Sequence, residues 1–309
     1  DFTYKGLDDP TWLADQHATK SLTSIAQILQ VTQSTVTNAF NKHQLKVRND
    51  RSEAQSQLVQ FVNDLIPDVE VHTDCRRVIS PYELDVYIPR FNLAIEYNGS
   101  IWHSEQWGSK SDTYHITKTE RCADVGVQLI HVGEDEWLLT PNVVKSKLKL
   151  MVGVIDIHID ANECTVVPVD LGLASHFVVE NELPNAPLHH THSYGLLKDG
   201  ILMMALNVCH QSDGQYQVLT MTTQLNTVVT GGTTKLFNHF INVHGPSGLV
   251  AYTNRRWDSV STTYANLGFI CVGNTPPECM YFNRRCHPYL YNINDSKFTS
   301  LIETFDPEL

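Results

Sequence analysis

The sequence predicts a multi-domain α/β chain: a small helical segment over residues 1–50, an α/β core over 51–150 and an α+β domain over 151–309. Three observations carry this. At 309 residues the chain is long enough for about two domains, or three if one is small. The apolar spacing changes near residue 50, from short helical patterns to a helix followed by strands. It changes again near residue 150, where short strands alternate with turns. The composition is globular, 42% hydrophobic and 18% charged. No run of about 18 apolar residues stands out as a membrane span.

Residues 18–47 read as two helices with a tight break. In "SIAQILQVTQSTVTNAF", Ile25, Ala26, Leu29, Val31 and Val36 form one apolar set. Small Ala26 and β-branched Val36 suit helices that cross closely at a short turn. Thr32 is the expected N-cap of the second helix. That helix carries Gln33, Ser34, Thr35 and Asn38, short hydrogen-bonding side chains of the kind that reads base edges, with Lys42 beyond them. The segment resembles a helix-turn-helix, which would contact double-stranded DNA. The blander alternative is a helical hairpin that only packs. Residues 1–50 hold five Lys/Arg and five Asp, so nearly all of the net charge of −12 lies downstream. Such a charge argues against general nucleic-acid binding but not against local basic contacts.

An amphipathic helix follows over 51–66, with Leu58, Phe61, Val62 and Leu65 as its stripe and Glu53 in its first turn. An extended segment, two strands in "ELDVYIPRFNLAIEYNG", a helix in "SDTYHITKTERCADVG" and a strand in "VQLIHVG" complete the core. The two central strands each carry an acid, Asp85 and Glu96. Burying a carboxylate costs several kcal/mol unless it is paired. Divalent Mg²⁺ or Mn²⁺ would compensate for both, held by hard oxygen ligands, and His103 lies near enough in sequence to orient an attacking water. The alternative has the two acids capping backbone turns.

These residues carry a resemblance. From Glu53 to Trp137 the chain is similar to the very-short-patch-repair branch of the PD-(D/E)xK nucleases, and closer to phage homing endonucleases of the EDxHD type. "IEYNGSIWHSE", "YHITKTERC" and "QLIHVGEDEW" look typical of phage members. The resemblance implies a metal-dependent, site-specific DNA endonuclease. It places Glu53 and Asp85 at the metal with Glu96, Asn98 at a variable position, and His103 as the catalytic histidine. Asp112 and His115 are both candidates for orienting His103, and Lys118 completes the candidate set. Asn98 stands where a PD-(D/E)xK enzyme carries lysine, so the mechanism is expected to rest on His103. A catalytically inactive, sequence-specific DNA-binding protein on the same scaffold is the rival reading.

Beyond residue 150, "MVGVIDIHID", "SYGLLKDGILMMALNV" and "QYQVLTMTTQL" read as strands, with "LKDG" a hairpin turn. "VVTGGTTKLFNHF" and "STTYANLGF" are similar to the acyl-CoA-binding turn and late helix of GNAT-type N-acetyltransferases. A glycine turn opening a helix suits a pyrophosphate. Val228 and Val229 depart from the family pattern before Gly231–Gly232. The domain is therefore expected to be GNAT-like and DNA-contacting or structural, with Arg255 and Arg256 of "NRRW" holding phosphates. A CoA-dependent acetyltransferase with an accessory nuclease-like domain is the further alternative. "HHTH", His189–His192, reads as a polar loop rather than a zinc site.

The start, "DFTYKGLDDP", lacks both the basic and the apolar region of a signal peptide, and its lack of Met suggests a trimmed chain. The seven cysteines have no paired metal spacing and read as reduced thiols. A cytoplasmic protein is expected, in the host cell if phage-encoded, without membrane contact. Its oligomeric state is open, a homodimer among the options.

Overall fold

The computed structural model describes residues 6–19, 22–45, 53–99, 114–184, 186–211, 214–257, 262–274, 278–283, 290–298 and 300–305. The chain forms two compact units, Asp1–Gln57 and Leu58–Leu309.

The first unit holds α1 (Pro10–Thr19), α2 (Leu22–Leu29) and α3 (Gln33–Lys42). Asp9 starts α1 by accepting from the N–H groups of Thr11 and Trp12 at 3.0 and 2.9 Å. Gln30 turns left-handed at φ 54° and ends α2. The N–H of Val31 then reaches back to the Ala26 carbonyl at 2.9 Å. Thr32 caps α3 in extended conformation and accepts from the Thr35 N–H. Ile25, Ala26, Leu29 and Val36 are buried together with Leu13 and Phe40, and Val31 packs against them.

The second unit begins within α4 (Glu53–Leu65), which buries Leu58, Val59 and Val62. Next come β1 (His72–Cys75), β2 (Leu84–Ile88), β3 (Leu93–Asn98), α5 (Tyr114–Asp124) and β4 (Gln128–Gly133). They form a sheet in the order β1-β2-β3-β4. The β1–β2 and β2–β3 pairs are antiparallel, and β3–β4 is parallel with Glu96 opposite His131. Burial alternates along β2 but is continuous from Leu93 to Tyr97 on β3. That is why an acid on β3 needs a partner in the protein. Two helices follow, α6 (Glu134–Leu139) and α7 (Pro141–Met151). The strand expected at Met151 is therefore displaced: Met151 ends a helix, and the strand β5 covers Ile157–Asp160.

The remaining elements are β6 (Thr165–Pro168), α8 (Leu171–Asn181), β7 (His192–Lys198), β8 (Ile201–His210), β9 (Tyr216–Thr223), β10 (Thr227–Thr230), α9 (Gly232–His244), β11 (Leu249–Asn254), α10 (Thr262–Ala265), β12 (Ile270–Asn274), β13 (Glu278–Asn283), β14 (Leu290–Phe298) and β15 (Ser300–Phe305). A seven-stranded sheet runs β12-β15-β11-β9-β8-β7-β6, while β5 and β10 pair separately, as do β13 and β14. The β7–β8 hairpin turns at Asp199 and Gly200, both at positive φ, 52° and 78°. Met204, Leu206 and Val208 of β8 share one buried core with Leu236, Phe237 and Phe240 of α9.

Within this sheet β9 and β11 are parallel. Their pairing is confined to Leu249↔Tyr216, Val250↔Gln217 and Ala251↔Val218. β9 continues to Thr223 against β8, and β11 continues to Asn254 against β15. A seam thus opens between the C-terminal ends of two parallel strands. The helix that connects them, α9, starts at that end of the sheet.

Candidate functional site

Asp85 and Glu96 sit on neighbouring antiparallel strands. The register Val86↔Ile95 continues to place them opposite each other. Their compensation comes from the protein itself. Lys118, projecting from α5, places Nζ 2.5 Å from Glu96 Oε1, with only 1% of the lysine and 5% of the glutamate side chain exposed. Burial works against the ammonium, but the charge and hydrogen bond of Glu96 outweigh it. With smaller help from Tyr114 and Asp85, they hold the Lys118 pKa above the ordinary lysine value. Asp85 Oδ2 accepts from the Tyr97 N–H at 2.8 Å. Burial likewise raises the Tyr114 phenol, with Lys118 pulling the other way.

A second polar chain lies alongside. Asn98 Nδ2 is 3.2 Å from His131 Nδ1, His131 Nε2 is 2.8 Å from Thr119 Oγ1, and that hydroxyl donates to the His115 carbonyl at 2.9 Å. The Thr119 hydroxyl gives its proton to the His115 carbonyl, so it accepts from His131 Nε2–H. His131, fully buried, is thereby held by a side chain at each ring nitrogen. His115 is buried beside it, its ring 5.5 Å from that of His131.

The structure thus brings Asp85, Glu96, Asn98, His115 and Lys118 to one end of the β2–β3–β4 sheet. Glu53 is exposed at the start of α4. His103 and Asp112 lie outside the described residues. Lys118, one of the expected site residues, takes the place beside Glu96 that Asn98 leaves without a lysine, reaching it from the helix rather than from the strand. Tyr114, Lys118 and Cys122 share one helical face at i, i+4, the spacing that turns Lys118 toward the sheet.

On α3, Ser34 and Thr35 are exposed, but their hydroxyls both meet Thr32 Oγ1 at 2.8 Å. Asn38 is exposed, and Lys42 pairs with Asp8 at 2.8 Å. Gln33 starts the helix, its side chain outside the described set. Arg256 corrects the phosphate-holding expectation. It is 4% exposed and forms a two-pronged pair with Glu136, Nη1 to Oε2 at 2.9 Å and Nη2 to Oε1. Its fork is committed to a carboxylate inside the protein and is not presented to a ligand. Arg255, in the same turn, is half-buried. Neighbouring bonds tie the same loop to β4: His131 N–H to the Arg256 carbonyl at 3.2 Å, and Gln128 Nε2 to the Trp257 carbonyl at 3.1 Å.

At the open seam, Gly231 stands at φ 75° as the N-cap of α9. A Cβ on Gly232 would lie 2.8 Å from Val229 Cγ1 and 2.9 Å from Met204 Sδ, so glycine is required for this close approach. Lys235 is anchored one turn on, donating to the carbonyls of Ala161 and Cys164 at 2.8 and 2.7 Å.

No protein-family model matches the sequence, and no curated protein matches it. Among solved structures, the chain is similar to an IAA acetyltransferase from Bacillus cereus, at 9% identity and TM-score 0.35, over 46% of this chain and 99% of that one. It is similar to an N-acetyltransferase from Staphylococcus aureus at 13% identity and TM-score 0.34, over 46% and 97%. A further likeness is to a protein described as an acetyltransferase from Salmonella typhimurium with its cofactor acetyl-CoA, at 11% identity and TM-score 0.35, over 47% and 94%. Each likeness spans less than half of this chain.

The expectation of a DNA endonuclease, a phosphodiester hydrolase working with Mg²⁺ or Mn²⁺, is corrected. Among the described residues no three His, Cys, Asp or Glu side chains gather into a group able to hold a metal ion. The physical reason lies at Glu96: the charge expected of a metal is supplied by Lys118. Among the described residues no helix is long and apolar enough to cross a membrane.

Proposed function

We propose that the chain is an acyl-CoA-dependent acyltransferase, with the cofactor held where β9 and β11 part. One observation carries this reading: the two parallel strands stop pairing after Ala251↔Val218, at the end of the sheet where α9 begins with Gly231–Gly232. In open α/β sheets ligands bind beyond the C-terminal ends of parallel strands. There a helix N-terminus offers backbone N–H groups to a diphosphate. The residues fit such a group. Gly231 takes the left-handed turn that opens the helix, and Gly232 leaves no Cβ in a space that Val229 and Met204 already fill. The facing backbones of β9 and β11 suit an extended, amide-bearing chain, which would bind as an added strand does. Acyl-CoA, when bound, supplies an activated thioester. The chain's own part is to hold the diphosphate at α9 and align the extended arm in the seam. Calorimetry of the full chain with acetyl-CoA is expected to give micromolar binding, lost in Gly232→Val. No heat at millimolar acetyl-CoA, with the wild-type chain folded, overturns the reading.

A second reading concerns the first unit, and the exposed polar face of α3 favours it. Thr32 starts α3 one residue after the turn that ends α2, so α3 projects Asn38 outward as a recognition helix would. We infer that this unit contacts double-stranded DNA, with Asn38 reading a base. Asn38→Ala in the full chain is expected to cost about 1–3 kcal/mol at one base position. Equal binding of every site by both proteins would make the segment purely structural.

A further inference from the structure

We propose that the corner where β7, β8 and β9 meet the last turn of α9 is an acid-responsive latch, closed while His192 and His244 are neutral and loosened when they are protonated. The proposal goes beyond acyl-CoA binding and does not depend on it.

Four histidines converge at this corner. His192 opens β7, His210 closes β8, and His239 and His244 lie on the last turns of α9. The rings of His192 and His244 stand 4.5 Å apart at 73°. Tyr194 Oη is 2.8 Å from His244 Nε2, and the His244 ring stacks on Phe240 at 4.7 Å. Tyr216 touches the rings of His192, His210 and His244 at 5.9, 4.7 and 5.7 Å, and His239 meets Tyr194 at 4.9 Å. The groups facing this pair are therefore Tyr194 from β7, His210 from β8, Tyr216 from β9 and His239 from α9. No described carboxylate is among the groups whose charge bears on His192 or His244.

A positive charge placed here meets other imidazoles, with no described carboxylate to offset it. A neutral His244 can accept from the Tyr194 hydroxyl, whereas an imidazolium must donate and turn that hydroxyl away. The helix C-terminus favours a cation on His244, but burial and three histidine neighbours oppose it, and both His192 and His244 lie below the ordinary imidazole value. The sign follows. Neutral imidazole is the folded form, so the stabilisation is complete above the unfolded value of about 6.5 and is lost as pH falls through the lower folded values. The first casualty is the last turn of α9, where the Gly245 N–H bonds the Ile241 carbonyl at 2.8 Å.

The test is NMR on the full chain from pH 8 to 5, following the histidine ring signals and the protection of the Gly245 amide. His192 and His244 are expected to titrate below about 6.5. Protection of Gly245, corrected for intrinsic exchange, should fall about tenfold for each unit of that displacement. Replacing His192→Gln with His244→Gln should flatten the pH response. Ring titration at or above the ordinary value in the wild type overturns the latch, and needs no variant. A folded double variant with an unchanged pH response overturns it too.

Discussion

Lys118 on α5 and Glu96 on β3 form an ion pair at 2.5 Å that is almost wholly closed to solvent. This pair explains how a continuously buried strand tolerates an acid at its fourth residue. Removing one partner strands the other. Lys118→Met is expected to destabilise the chain by about 3–5 kcal/mol, while Lys118→Met with Glu96→Gln costs less than the single change. Urea midpoints of the three proteins check this, and a double variant worse than the single removes the pairing argument. The lysine contribution is complete below its unfolded value of about 10.4 and fades as pH rises through the higher folded value.

Gly232 packs its backbone where a side chain cannot go. Gly232→Ala places a Cβ 2.8 Å from Val229 Cγ1 and 2.9 Å from Met204 Sδ. Overpacking of this kind costs about 1–3 kcal/mol. Thermal unfolding of the full chain should show the loss. An unchanged midpoint would mean that Met204 and Val229 yield freely.

Cysteine reactivity should follow burial. Cys122 is 0% exposed, and burial pushes its thiol up to about 12, whereas Cys271 is exposed. At pH 8 iodoacetamide should label Cys271 early and leave Cys122 until the protein unfolds, read by peptide mass spectrometry. Prompt labelling of Cys122 would place it at a surface.

Thr32 is a cap as well as a boundary. Thr32→Ala removes the acceptor for the Thr35 N–H and should cost the first unit about 1 kcal/mol. Serine at the same position should restore most of it. Circular dichroism during thermal unfolding distinguishes the two.

Local chemistry was legible in the sequence where one short stretch decides one element. Thr32 as a cap, the stripe Leu58 and Val62, and the Asp199–Gly200 turn all depend on residues within a few positions. α8 was missed because Leu171, Leu173 and Val179 remain exposed on it, which blurs its apolar face. The displaced strand at Met151 has the same origin: α7 is held by Val143, Val144 and Leu148, a stripe cut short by Gly153 at φ 74°. At the candidate site the two acids were recognised as needing compensation, but its source was not. Lys118 lies 22 residues from Glu96, and Arg256 lies 120 from Glu136. No periodicity links such pairs, and a metal was the nearest alternative that local pattern could suggest.

The Arg256–Glu136 fork makes the halves of the second unit mutually dependent. Each charge is buried only because the other arrives from the far side of the junction. A fragment ending near residue 150 would leave Glu136 without its guanidinium, still accepting from the Gly133 N–H at 2.9 Å, and one beginning there would leave Arg256 without its carboxylate; in either piece water would reach the charge that the junction now covers. What each piece would lose is the cover of its neighbour, which is why residues 58–309 hold together as one compact unit.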